Sequence, residues 1–143
     1  PRAVAEESLF LLEPDRDDQS KLVKAPLDLS PYFEHGVLGR CDVEGDDELR
    51  CLVQYATRLD DGEAACLAIA KCRGWVLATD DRLASNVARQ DGVVVITTPE
   101  LVKRWAGSMA AKKSEIAQVV ENIRRFARFV PRPNSPDSEW WIS

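Results

Sequence analysis

The chain predicts an α/β fold in which helices enclose a parallel sheet, and three observations carry that prediction. Two short, continuous apolar runs, Trp75-Val76-Leu77-Ala78 and Val93-Val94-Val95-Ile96, read as buried parallel strands because they lack the alternation of a half-exposed sheet. A glycine closes the helical segment before each run, Gly74 before the first and Gly92 before the second. Residues suited to start a helix follow each run, Asp80-Asp81 after one and Thr97-Thr98-Pro99 after the other. The resulting order, α-β-α-β-α from residue 60 to 105, is that of a parallel sheet wrapped by helices.

Taken in order, Pro1 to Leu12 reads as a helix with proline in its first turn, Val4, Ser8, Leu11 and Leu12 on one face, and Glu7 one turn after Val4. Asp15 to Ser20 is a polar loop. Leu27 to Phe33 is extended or turned because Pro31 restricts its neighbour, and a strand is expected within 36–43. Asp46 caps a helix running through Leu59, with Leu49, Leu52, Val53 and Ala56 inward. Asp60 and Asp61 offer an N-cap to a small-residue helix reaching about Cys72, with Glu63 in its first turn. Trp75 belongs to the core in this reading. Asp80 or Asp81 caps the next helix, through about Gln90, and Thr97 or Thr98 starts another through Trp105, which packs against a neighbouring helix. Ser114 to Val130 is amphipathic, with Ile116, Val119, Val120, Ile123, Phe126 and Val130 at helical steps, until Pro131, Pro133 and Pro136 break it. These elements define one domain over 1–130 and a Pro-rich tail over 131–143. The apolar Trp140-Trp141-Ile142 is expected to dock on its own domain or on a neighbour, which includes a homodimer.

A chain of 143 residues, 45% of them hydrophobic, suffices for one good core. Its net charge of -5 conceals a division: residues 99–132 hold eight Lys or Arg against three acids, whereas residues 1–98 hold eleven against nineteen. An acidic face and a basic helical region suit a protein that binds a polyanion beside a metal. Cys41, Cys51, Cys66 and Cys72 show no C-x-x-C spacing and His35 is the sole histidine, which argues against zinc. Cys66 and Cys72 read as buried, reduced thiols of a cytoplasmic protein. No apolar stretch has membrane-spanning length, so no membrane partner is expected.

The chemistry points to carboxylates at element borders. Hydrolysis of a phosphodiester needs an activated water and charge neutralisation at phosphorus, which divalent ions supply, and Mg²⁺ or Mn²⁺ takes hard oxygen ligands. Glu63, Asp80 and Asp81 stand at a helix start and at a strand's carboxyl end, where open parallel sheets bind ligands. The same residue types also stabilise helix ends, and Asp60 and Asp61 are assigned to that role.

The segments Leu59-Asp60-Asp61-Gly62-Glu63-Ala64-Ala65, Gly74-Trp75-Val76-Leu77-Ala78-Thr79-Asp80-Asp81-Arg82, Gly92-Val93-Val94-Val95 and Thr98-Pro99-Glu100-Leu101 together resemble the C-terminal half of a bacterial PIN domain. Pro1-Arg2-Ala3-Val4-Ala5-Glu6-Glu7 is similar to the early Pro-x-x-Val-x-x-Glu helix of that family. The resemblance implies a three-layer α/β/α fold with a C-terminal helix and tail added, and a pocket of Glu7, Glu63, Asp80 and Asp81 holding Mg²⁺ or Mn²⁺. It also implies a metal-dependent endoribonuclease acting on RNA, of the kind that serves as the VapC-type toxin of a toxin-antitoxin pair with an antitoxin protein as partner. The alternative is a non-catalytic PIN-like module that binds RNA or a protein. Because the family opens with a strand ending in an Asp, and this chain opens at Pro1, the resemblance further implies a processed or truncated product of a longer gene. Segment 13–58, longer than in minimal members, is expected to add a flap or interface.

Overall fold

The computed structural model describes residues 1, 4, 9–135 and 137–142. Its contacts divide the chain into two compact units, one built on Leu29–Thr98 and the other on residues 9–28 and 99–142.

In the first unit a short helix α1 (Ser30–Glu34) has Pro31 in its opening turn, so the segment expected to be extended is helical at its end. Residues 36–43 turn and run without forming the expected strand. Helix α2 (Gly45–Tyr55) follows, and its buried face differs from the expected one. Glu48 and Tyr55 are buried with Cys51 and Leu52 half-buried between them, whereas Leu49 and Val53 face solvent. Hydrophobicity misassigned this face because a paired glutamate took an inner position. Helix α3 (Asp61–Arg73) is the hub of the core, with Ala64, Leu67, Ala68 and Ala70 almost wholly buried. The alanines let neighbouring elements approach closely, and the helix ends as expected at Gly74, whose φ of 67° is a left-handed conformation that glycine adopts without a Cβ penalty.

Strand β3 (Leu77–Ala78), helix α4 (Arg82–Gln90) and strand β4 (Val95–Ile96) complete the alternation. The two strands pair in parallel, Leu77 opposite Val95 and Ala78 opposite Ile96. This is the predicted strand order in its smallest form, two residues a side. Trp75, Val76 and Val94, expected in the buried strands, are exposed, so Trp75 is not a core residue. The core gathers Tyr55, Leu59, Leu67, Leu77, Val87 and Val93 around the small residues of α3 and α4.

The second unit begins with an antiparallel hairpin, β1 (Phe10–Pro14) with β2 (Leu22–Pro26), in register Leu12 to Lys24. Phe10 to Leu12 therefore lie in a strand, not in the expected helix; of the remainder of that helix, residues 2, 3 and 5–8 lie outside the described residues. The polar loop is as expected and shapes itself: Asp15 Oδ1 accepts from Asp17 N at 2.8 Å, and Asp18 Oδ1 accepts from Ser20 N at 3.1 Å. Helix α5 (Thr98–Ser108) leads into this unit, and Trp105, expected in a helix-packing face, is exposed. Helix α6 (Lys113–Phe126) has its first turn closed by Glu115 Oε2, which accepts from Lys112 N at 2.7 Å. It stops four residues before the expected end, as Arg128 turns left-handed at φ 52° and Val130 is exposed. The redirected chain lets Phe129 meet Trp141 edge-to-face at 5.6 Å. Trp141, on the short helix α7 (Ser138–Ile142), is buried against Phe129 of the same chain, the first of the two expected dockings. No helix among the described residues is long and apolar enough to cross a membrane.

Candidate functional site

One of the predicted acids, Glu63, lies in a cleft of about 270 Å³ in the first unit, lined by Val4, Asp60, Gly62, Glu63, Cys66, Leu77, Ala78, Thr79 and Ala84. Its walls follow from the local sequence. The N-cap and first turn of α3 provide Asp60, Gly62 and Glu63, and β3 with the residue after it provides Leu77, Ala78 and Thr79. Gly62 is buried and Glu63 is half-buried on the cleft wall.

Each aspartate has structural work of its own. Asp60 Oδ1 accepts from Glu63 N at 2.8 Å and caps α3, the role assigned to it from sequence. Asp81 Oδ1 accepts from Ala84 N at 2.8 Å and caps α4, while Asp81 N donates to Thr79 Oγ1 at 3.1 Å. Asp80 uses both carboxylate oxygens on one residue. Thr98 N donates to Oδ1 at 2.9 Å and Thr98 Oγ1 donates to Oδ2 at 2.5 Å, so the end of β3 is clasped to the start of α5.

The structure thus brings Glu63 into the cleft beside Asp60, and sets Asp80 and Asp81 directly after its Thr79 wall without making them lining residues. Glu7, the fourth predicted ligand, lies outside the described residues. The donors are hard oxygens, the chemistry that Mg²⁺ or Mn²⁺ requires. Their convergence falls short: among the described residues no three His, Cys, Asp or Glu side chains come together to hold an ion. The predicted set is therefore not assembled by its described members alone.

Sequence reasoning missed Thr98 as the partner of Asp80 and Cys66 as a lining residue. The spacing of Cys66 was legible, since it stands three residues after Glu63 on the same helix face. It also missed the two polar ties that steady α2. Tyr55 Oη donates to Asp91 Oδ2 at 2.6 Å, and burial beside that carboxylate pushes the Tyr55 phenol up. Arg73 Nε donates to Glu48 Oε1 at 2.7 Å and Nη2 to Oε2 at 3.0 Å, a bidentate pair that holds the Glu48 carboxyl down to about 2. The Cys72 thiol, expected in the core, is exposed at the end of α3, 3.6 Å from Cys51 Sγ.

No family model, curated protein or solved structure matches the chain.

Proposed function

We propose that this chain is a metal-dependent endoribonuclease of PIN type, with Glu63, Asp80, Asp81 and Glu7 as its carboxylates. The observation that carries the reading is the cleft between the start of α3 and the carboxyl end of β3, with Glu63 in its wall and Asp80-Asp81 immediately after it. That is where an open parallel α/β arrangement binds ligands. When bound there, Mg²⁺ or Mn²⁺ supplies charge neutralisation at phosphorus and an acidified water. The part of this chain's own residues is to hold: Glu63 offers a carboxylate from a rigid helix start, and the caps made by Asp60 and Asp81 fix the two helix ends that frame it. Lys112, Lys113, Arg104 and Arg125 are exposed cations suited to an RNA backbone. In this reading the three-layer α/β/α arrangement, a cytoplasmic location, an antitoxin partner and a homodimer are parts of the same proposal.

The full chain incubated with labelled single-stranded and hairpin RNA in Mn²⁺ tests it. Glu63→Gln is expected to lower cleavage by about 100-fold or more with the helical signal unchanged. Cleavage by Glu63→Gln at the native rate would refute the site. One observation favours a second reading, a non-catalytic module that binds RNA or a protein: both oxygens of Asp80 are already engaged by Thr98. Calorimetric titration with Mn²⁺ separates the two, because the nuclease must bind the ion and the module need not.

A further inference from the structure

Helices α2 and α3 bring one thiol each to the same point, with Cys51 Sγ and Cys72 Sγ 3.6 Å apart and 21 residues apart in sequence. The positions differ in a useful way. Cys51 is half-buried against the core cluster, whereas Cys72, in the last turn of α3, is exposed to reagents. The helices around them are already fixed by the Arg73–Glu48 pair, so little backbone movement separates thiol contact from a bond.

We propose that Cys51 and Cys72 form a reversible disulfide, made by exchange with a low-molecular-weight disulfide such as glutathione disulfide, that ties α2 to α3. The exposed Cys72 thiolate attacks one sulfur of glutathione disulfide, forming a mixed disulfide and expelling one glutathione thiolate. Cys51 thiolate then attacks Cys72 Sγ and expels the second. The two protein thiols lose two electrons, one glutathione disulfide gains them, and the two protons released by the cysteines end on two glutathione thiols. Local desolvation where it faces Cys51, and the contact with that thiol, push the Cys72 thiol up, which keeps its thiolate fraction small and makes the first exchange slow. The modification is independent of the nuclease reading, since it needs neither the cleft nor a metal.

The full chain equilibrated in glutathione buffers from reducing to oxidising, acid-quenched, alkylated and weighed intact tests it. Two alkylatable thiols are expected to vanish together as the mass falls by two hydrogens, peptide mapping joins Cys51 to Cys72, and the melting temperature rises by several degrees. Cys72→Ser, at an exposed position and checked by circular dichroism, is expected to lose the bridge, whereas Cys41→Ser and Cys66→Ser keep it. Four alkylatable thiols at the most oxidising ratio, a glutathione adduct persisting on Cys72, or a bridge between other cysteines would overturn the proposal.

Discussion

The bidentate pair of Arg73 and Glu48 has the clearest consequence of any single contact. Glu48 sits at an inner position of α2 and would be an uncompensated buried charge without the guanidinium. Its carboxyl falls from an ordinary 4.5 to about 2, chiefly through the hydrogen bonds from Arg73 and then the backbone N–H of Glu44. A depressed carboxyl contributes stability that is whole above its unfolded value and drains as pH falls through its folded one. The pair's contribution is therefore complete above pH 4.5 and lost progressively down to about 2. Denaturant unfolding followed from pH 7 to pH 2 is expected to show a steep acid limb in the native chain. Glu48→Gln should be less stable at pH 7 and flatter below 4.5; an unchanged acid limb would assign the sensitivity to other carboxylates.

At the scale of the element, Asp81 shows how structure and chemistry can be pulled apart. As the N-cap of α4 it contributes about 1 kcal/mol, and asparagine caps a helix about as well as aspartate does. Asp81→Asn is expected to unfold at the native temperature, and Asp81→Ala to lose about 1 kcal/mol. If the proposed site is right, both lose Mn²⁺-dependent cleavage; loss of stability in Asp81→Asn would leave the cap and the ligand role confounded. The helix ends were legible in the sequence for the same reason that this substitution is informative. Caps and glycine stops are local, so the stop at Gly74 could be read directly and each cap could be narrowed to a pair, Asp60-Asp61 and Asp80-Asp81, of which the structure uses Asp60 and Asp81, while the parallel order of β3 and β4 followed from the alternation of helix and strand. The buried face of α2 could not be, because Glu48 is inward only through Arg73, 25 residues away. Phe10 to Leu12 misled in the opposite way. Their spacing suited a helix, but strand pairing with Leu22–Pro26 decides their state, and pairing is not a local property. In the candidate site Glu63 was found because its position on α3 is local, whereas the Asp80–Thr98 clasp spans 18 residues and leaves no spacing signal.

For the molecule as a whole, each unit keeps its own anchor. In the second unit that anchor is Trp141, buried against Phe129, with an indole Nε1 that has no hydrogen-bond partner. Trp141→Ala is expected to cost about 3–5 kcal/mol through the cavity it leaves. Trp141→Phe keeps an aromatic ring while removing the orphaned donor, and is expected to cost far less. Hydrogen exchange should show the loss in Trp141→Ala within residues 9–28 and 99–142; equal costs for the two variants would mean that packing is not what the tail supplies. In the first unit, Asp80 holds the start of α5 by two hydrogen bonds to one threonine. Whatever reaches that carboxylate arrives as a rival to Thr98: its affinity is a difference between a bond gained and a bond surrendered, and its arrival is felt first as a loosening of the turn that Thr98 begins.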